Sequence, residues 1–437
     1  MFASLAQSLR ELSAADARRA ALGYVSEAFA EAMLDGIDVE SFADAAVCAA
    51  FRELVAAYGE AHAARLAELL PERVRQAMVG VMVNHRGPEC RTAIGQAEEM
   101  IRPILGTTNH ILFFASSGTG VMEAALVNVV GPGNRILVIE HGQFGERFTA
   151  IAKAMNITVD TVATAWGQAI DVAAVEARLR EHDYRAVVVV HNESSTGIVA
   201  DLAALGTLVR DRPTLLIADS VSGLGGIEMR QDEWGVDIVV SASQKALMCP
   251  PGLALASVSA KAWRVIGQDE GRSVFYWDFR RALKSAEQNE TPFTAPVSLI
   301  YGLREALTMM HEEGFSNVLS RHKQLSGALR AGGAALGLAD FCNDGPRSST
   351  VVVFRVPDGL EGGAIVRQLY QHHRTVIAGA RNRLSGRVIR LGTMGALNAG
   401  TILTDLLYLE DALTKLGLPI EPGAGLKAAA EHLAATT

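Results

Sequence analysis

The chain has 437 residues, which is too many for one ordinary hydrophobic core, so we predict two or three domains. Its formal net charge is −8 and it has no long basic run, which argues against a nucleic-acid-binding protein because phosphates require a concentrated cationic surface. No apolar run reaches the roughly 18 residues of a membrane span, and the scattered cysteines lack metal-ligand spacing. We therefore expect a cytoplasmic protein with no metal site and no membrane partner.

The first 70 residues are rich in alanine and carry apolar side chains at helical spacing. One apolar stripe lies between residues 22 and 33, and a second lies between residues 47 and 58. The DGID stretch at residues 35–38 separates the two stripes. We predict that residues 1–70 form an N-terminal helical extension of two or three helices.

From about residue 110, short runs rich in valine, isoleucine and leucine alternate with helix-length segments. The seven runs are HILFFAS, RILVIEH, ITVDTVAT, RAVVVVHN, TLLIADS, DIVVSAS and LALASVS. Strands that are apolar throughout are typical of parallel sheets covered by helices on both faces. We therefore predict an α/β fold in which residues 71–290 form a large domain around a seven-stranded, mainly parallel sheet.

A different pattern follows the TPFTAPV stretch at residues 291–297. Helical patterns such as SLIYGLREALTMMHEEG and LEGGAIVRQLYQHH occur together with the strand-like runs STVVVFRV and RVIRLG. We predict that residues 291–437 form a smaller C-terminal α+β domain.

Polar clusters follow four of the seven predicted strands at the point where each strand ends. These clusters are SSGTG, HNESSTG, ADSVSG and SASQK. The carboxyl ends of parallel strands meet at one edge of the sheet, and ligands of such sheets bind there. We therefore expect the four clusters to build one site.

Three features of these clusters indicate a particular chemistry when they occur together. Ser117, Gly118 and Thr119 precede a helical pattern; free N–H groups at a helix N-terminus suit a phosphate, although an ordinary helix cap has the same sequence. Asp219 ends an apolar strand, where a carboxylate either caps a turn or faces a cation. Lys245 follows the next strand, where it is either solvated or forms a Schiff base with a carbonyl cofactor. An aldehyde cofactor with a phosphate and a pyridine nitrogen would use all three features.

The stretch ADSVSGLGGIEMRQDEWGVDIVVSASQKALMCPPGLA resembles the core of the class V pyridoxal-phosphate aminotransferases, in particular the alanine–glyoxylate and serine–pyruvate branch. The resemblance extends through MVNHRGPECR, HGQFGERF, TPFTAPVSLIYGLREAL and IRLGTMG, and it covers about residues 71 to 415. It implies the type I fold of pyridoxal-phosphate enzymes and pyridoxal 5′-phosphate as the cofactor. It also implies a homodimeric transaminase that moves an amino group between an alanine- or serine-like amino acid and a glyoxylate- or pyruvate-like 2-oxo acid.

The resemblance further implies which residues hold the cofactor. Lys245 would carry the Schiff base and also transfer the proton, and Asp219 would pair with the pyridinium nitrogen. The phosphate would be held by Ser117, Gly118, Thr119 and Gln244.

Five further roles follow from the same resemblance. Phe144 would stack on one face of the cofactor ring, and Val221 would pack under the other. Ser195 would reach the ring hydroxyl. Thr294 would contact the phosphate bound by the neighbouring subunit, and Arg390 would bind the carboxylate of the substrate.

Another reaction of the same cofactor on an amino acid remains an alternative at this stage. Lyases, epimerases and condensing enzymes share the fold, as do cysteine desulfurases. Desulfurases of this family usually place a histidine directly before the lysine, whereas here Gln244 precedes Lys245. This difference favours the transaminase.

Overall fold

The computed structural model describes residues 71–436 except residues 81, 132, 269–273, 343 and 381. The predicted N-terminal extension, residues 1–70, lies outside the described residues. The strands are β1 (Ile111–Ser116), β2 (Arg135–Glu140), β3 (Thr158–Ala163), β4 (Ala186–Val190), β5 (Asn192–Glu193), β6 (Ile198–Val199), β7 (Leu215–Asp219), β8 (Ile238–Ala242), β9 (Gly252–Val258), β10 (Val351–Arg355), β11 (Ala378–Gly379) and β12 (Val388–Gly392).

The described helices alternate with these strands through the first half of the chain and predominate in the second half. They are α1 (Glu72–Met78), α2 (Pro88–Leu105), α3 (Gly118–Val129), α4 (Gln143–Ala154), α5 (Val172–Glu181), α6 (Leu202–Val209), α7 (Gln231–Trp234), α8 (Ala260–Gly267), α9 (Phe279–Ala286), α10 (Val297–Glu313), α11 (Phe315–Ala335), α12 (Gly362–His373), α13 (Ala399–Lys415) and α14 (Ala424–Thr436). Among the residues that the structure describes, no helix is long and apolar enough to cross a membrane.

The seven apolar runs that begin near residue 110 all form strands of one sheet, which confirms the predicted fold. The strand order is β1-β9-β8-β7-β4-β2-β3. Only β9 runs against the others, since it pairs antiparallel with both β1 and β8, whereas β2, β3, β4, β7 and β8 pair in parallel.

The central strands are buried on both faces, as their uninterrupted apolar sequences require. Side chains alternate between the two faces of a strand, so Val187 and Val189 of β4 contribute to one hydrophobic core while Val188 contributes to the other. Helix α2 covers the first face with residues such as Ile101, and α4 covers the second with residues such as Phe148. This layering leaves the carboxyl ends of the strands as the accessible edge of the sheet.

A second sheet of three antiparallel strands, in the order β10-β12-β11, lies in the C-terminal part of the chain. Helix α11 packs against β10 and α14. Helix α10 instead packs against α1 and α2, and its Ile300 and Leu303 join the core on the first face of the large sheet. The domain boundary near residue 291 stays a prediction.

A short hairpin, formed by β5 and β6, connects the two sheets. It follows β4 directly, and its residue Ile198 forms a β-bridge with Arg347. The N–H of Ser348 donates to the carbonyl of Gly197 over 2.8 Å, and the N–H of Val199 donates to the carbonyl of Pro346 over 2.9 Å. Residues 192–199 are therefore bonded to the segment that leads into β10.

Candidate active site

A cavity of about 280 Å³ opens at the carboxyl ends of β1, β4, β7 and β8, where the four polar clusters come together. Eight of the eleven predicted site residues line it: Ser117, Gly118, Thr119, Phe144, Asp219, Val221, Gln244 and Lys245. Ser195, Thr294 and Arg390 do not line it. Six other lining residues were not predicted from the sequence: Met122, Arg147, Val190, Asn192, Ser194 and Ser222.

The N-terminus of α3 forms one wall of the cavity. Ser117 is the N-cap residue with extended backbone angles, φ −81° and ψ 166°, and its side chain makes no capping hydrogen bond. The first N–H groups of a helix have no partner within the helix, and they carry a partial positive charge. A side chain at Gly118 would bring Cβ to 2.8 Å from Cγ2 of Val221, so only glycine fits where the two segments meet. This wall is suited to an anion.

Asp219 lies at the end of β7 and is almost completely buried. Its Oδ1 accepts a hydrogen bond from the Val221 N–H at 2.8 Å. Burial raises the pKa of the Asp219 carboxyl to about 7, and the negative charge of Glu193 acts in the same direction. A cationic group bound next to Asp219 would stabilise the ionised carboxylate.

Lys245 lies in the turn after β8, and its side chain is partly buried. The turn is closed by a hydrogen bond of 3.0 Å from the Met248 N–H to the Lys245 carbonyl. Burial lowers the pKa of the Lys245 amine, and the positive charge of Arg390 lowers it further, whereas Asp219 raises it. A lowered pKa increases the fraction of neutral amine, which is the form that attacks a carbonyl group.

Phe144 lies in the first turn of α4, and a buried carboxylate holds that turn in place. Oε2 of Glu193 accepts hydrogen bonds from the N–H groups of Phe144 at 2.9 Å and Gly145 at 3.2 Å. Glu193 is 0% exposed, so these bonds replace its contacts with water. Sequence reasoning missed Glu193, although an acid inside the HNESSTG cluster directly after a buried strand was a signal.

Ser195 is bound to the same carboxylate, and it does not line the cavity. Its Oγ donates to Oε1 of Glu193 at 2.6 Å and accepts a hydrogen bond from the Gln143 N–H at 2.9 Å. The neighbouring Ser194 and Asn192 line the cavity instead. The predicted contact between Ser195 and the cofactor ring stays a prediction.

Asn192 presents an unpaired acceptor in the cavity wall. Its Nδ2 donates to the Ser222 carbonyl at 2.9 Å and to Thr350 Oγ1 at 2.8 Å, which fixes the orientation of the amide. Oδ1 of Asn192 and Oε1 of Gln244 are buried and have no hydrogen-bond partner within the described residues. Buried acceptors without partners are rare because each costs free energy. Both residues line the cavity, and a bound ligand that donates hydrogen bonds would satisfy these acceptors.

Arg390 and Thr294 do not line the cavity. Arg390 is in β12, and its guanidinium donates to the Gly379 carbonyl at 3.0 Å and to the carbonyl of the cavity residue Ser194 at 3.3 Å. Thr294 is exposed and lines a second, more open cavity formed by residues 82–85 and 294–299. Within one chain, the structure thus brings Arg390 close to the site but not Thr294.

Comparison with known proteins agrees with this geometry. Residues 70–385 match the family model described as aminotransferase class-V. The L-aspartate–glyoxylate aminotransferase of Paracoccus denitrificans is 34% identical over 376 residues, which cover 84% of this chain and 94% of that protein. The serine–glyoxylate aminotransferase of Methylorubrum extorquens is 33% identical over 376 residues, covering 83% and 93% of the two chains.

A solved structure resembles most of this chain. The crystal structure of ureidoglycine–glyoxylate aminotransferase from Bacillus subtilis matches with a TM-score of 0.79 and 28% identity, and the match covers 83% of this chain and 95% of that chain. The family match itself spans well over half of the sequence. The protein therefore belongs to the class-V aminotransferases, a family that implies pyridoxal 5′-phosphate as the cofactor.

Proposed function

We propose that this aminotransferase moves an amino group between a small amino acid and a small 2-oxo acid, with pyridoxal 5′-phosphate bound at Lys245. The observation that carries the proposal is that Lys245, Asp219 and the N-terminus of α3 line one cavity. The three relatives described above all have glyoxylate in their names, and their names differ in the amino donor. We therefore infer glyoxylate as the acceptor, with pyruvate as the runner-up, and an alanine- or serine-like donor.

The residues of the cavity fit this cofactor. The free N–H groups at the start of α3 would hold the phosphate, in the narrow space where only Gly118 is tolerated. The unpaired acceptors of Asn192 and Gln244 would accept hydrogen bonds from the cofactor or from the substrate amine. Asp219 supplies a buried acid beside Lys245, which supplies the amine.

When bound, pyridoxal 5′-phosphate supplies an electron sink for the bond that breaks at the substrate's α-carbon. Asp219 would keep a proton on the ring nitrogen, since an ionised carboxylate stabilises a cation next to it. The Lys245 amine, whose pKa is lowered by burial, would accept a proton from the substrate and return it. Phe144, held by Glu193, would cover the ring and exclude water from this proton transfer.

Arg390 would bind the α-carboxylate of the substrate. Its planar guanidinium can donate two parallel hydrogen bonds to a carboxylate, which the amine of a lysine cannot do. Two observations support this role: its charge acts on the Lys245 amine, and it donates to the carbonyl of the cavity residue Ser194.

We also propose that the enzyme is a homodimer in which Thr294 reaches the phosphate bound by the second copy. Thr294 is exposed, and two large apolar side chains, Met82 and Phe275, are 70% and 67% exposed. Burial of such side chains against a second copy would remove apolar surface from water. We place the enzyme in the cytoplasm, where the free thiols of the buried Cys90, Cys249 and Cys342 would stay reduced.

The decisive experiment is a screen of amino donors against 2-oxo acids with the purified, cofactor-loaded protein. Wild-type enzyme should show visible absorbance of lysine-bound cofactor and should turn over an amino donor repeatedly only when a 2-oxo acid is present. Lys245→Ala should abolish transfer, whereas Lys284→Ala, at an exposed position on α9, should not. Borohydride reduction followed by peptide mapping should find the cofactor on Lys245.

Two results would refute the proposal. A cofactor trapped on any other lysine would overturn the assignment of Lys245. Product formation from an amino acid without any 2-oxo acid, beyond one equivalent per enzyme, would instead support a lyase or an epimerase on the same fold.

A further inference from the structure

We propose that Arg147 supplies the fixed positive charge that holds the phosphate group of the cofactor. This inference rests on the function proposed above. Arg147 lies on α4, one helical turn after Phe144, and it lines the cavity. Residues three positions apart on a helix lie on the same face, so Arg147 and Phe144 can present their side chains to the same space.

Two contacts of Arg147 place it between the cofactor-binding elements. Its Nη1 donates a hydrogen bond to Oγ1 of Thr119 at 3.0 Å, in the first turn of α3. Its Cζ lies 4.6 Å from the centre of the Phe144 ring, which is the geometry of a cation–π contact. One side chain therefore joins the anion-binding wall to the aromatic ring.

The charges that line the cavity leave one cation for a phosphate. Among the described lining residues, the ionisable side chains are those of Arg147, Asp219 and Lys245. The charge of an ionised Asp219 has the same sign as that of a phosphate, and Lys245 forms the covalent bond to the cofactor. A phosphate monoester carries a charge of about −1.5 to −2 at pH 7, whereas a helix N-terminus offers only about +0.5. Arg147 is the group left to neutralise the remainder.

Arg147 is also available for this role. Among the described residues, only Thr119 accepts a hydrogen bond from it, and no carboxylate lies within ion-pair distance of it. A guanidinium has five N–H donors in a rigid fork that matches the oxygens of a phosphate. An arginine in a cavity wall without an acidic partner fits an anionic ligand.

The test compares cofactor with and without its phosphate. Cofactor-free wild type, Arg147→Met and Arg147→Lys are titrated with pyridoxal 5′-phosphate and with pyridoxal, and the visible absorbance of the lysine-bound compound is followed. Arg147→Met should weaken binding of pyridoxal 5′-phosphate by roughly 10- to 100-fold, as expected for loss of a charge-assisted hydrogen bond. Binding of pyridoxal should stay unchanged, and Arg147→Lys should recover part of the lost affinity. Lys153→Met, near the C-terminal end of the same helix, is the matched control.

The possible outcomes separate this inference from the proposed function. If Arg147→Met weakens the binding of both compounds equally, Arg147 acts by positioning Phe144, and the proposed contact with the phosphate is wrong. If neither affinity changes, Arg147 has no part in cofactor binding. Wild-type protein that binds neither compound would overturn the proposed function together with this inference. Arg147→Lys controls for a folding defect, since lysine keeps the positive charge and most of the side-chain volume.

Discussion

Replacing Asp219 by asparagine should stabilise the cofactor-free protein at neutral pH, although it should damage the enzyme. Asp219 is 4% exposed, and burial raises the pKa of its carboxyl from an ordinary 3.8 to about 7. Each unit of pKa difference between the folded and unfolded states is worth about 1.36 kcal/mol. The ionised carboxylate therefore costs the folded state about 4 kcal/mol above pH 7.

The asparagine side chain removes this cost and adds a smaller one. It keeps an acceptor for the Val221 N–H, which lies 2.8 Å from Oδ1 in the wild-type protein. Its new amide N–H₂ group would be a buried donor, and leaving such a donor unpaired costs roughly 1–3 kcal/mol. The net effect above pH 7 is a stabilisation of about 1–3 kcal/mol.

The difference in stability between the variant and the wild type should depend on pH. Because the pKa is raised in the folded state, wild-type stability is lost progressively as the pH rises from about 4 to about 7, and the loss is constant above that range. The amide of the Asp219→Asn variant does not titrate, so the stability curves of the variant and the wild type should converge near pH 5 and separate toward pH 8.

Thermal and urea unfolding of the cofactor-free proteins between about pH 5 and pH 8 would measure this difference. Asp183→Asn, at an exposed position, controls for the substitution itself. A difference in stability that is constant across this range would refute the reasoning, because Asp219 would then not titrate there. Loading with cofactor should reverse the order, since the wild-type carboxylate gains a cationic partner.

Three further changes test other parts of the site. Arg390→Ala should lower kcat/KM for amino acids by a factor of roughly 30 to several thousand, as expected for loss of one partner of a buried charged pair. The absorbance of the bound cofactor should stay intact. An equal loss of kcat/KM with an amine that lacks a carboxylate would contradict the role of Arg390 in binding the carboxylate. Glu193→Gln should destabilise the protein by roughly 1–3 kcal/mol, because either orientation of the amide turns its N–H₂ group toward a backbone N–H donor, at Phe144 and Gly145 or at Ser195. Unchanged thermal unfolding, with the exposed Glu181→Gln as control, would show that these hydrogen bonds contribute little. Light scattering should find at least a dimer, and a fully active monomer would exclude the proposed role of Thr294.

The main site residues could be predicted because each follows a strand that is apolar throughout. Such strands belong at the centre of a parallel sheet, where the residue after the last apolar side chain must lie at the carboxyl edge. This rule places Ser117, Asp219 and Lys245 at one edge, and the structure brings all three to one cavity. Neither the strand order nor the contacts between the strands was needed for that prediction.

Residues whose position depends on contacts between distant segments could not be predicted in this way. Glu193 meets the start of α4 only because Gly142 leaves space for it; a Cβ on Gly142 would lie 2.2 Å from Cγ of Glu193. Arg147 belongs to the site through Thr119, which is 28 positions earlier in the chain. Helical spacing alone makes Arg147 look like an ordinary solvated side chain.

The hairpin that joins the two sheets limits how the active site can move. The hairpin, residues 192–199, includes the cavity residues Asn192 and Ser194. It is also hydrogen-bonded to Pro346 and Ser348, in the segment that leads into β10. Arg390 adds a further bond to Ser194. Swinging the C-terminal sheet away as a rigid body would either break these bonds or carry part of the cavity wall with it. A hinge movement of the C-terminal sheet would therefore disturb the chamber itself, so we expect substrates to be selected by the size and shape that the chamber already has.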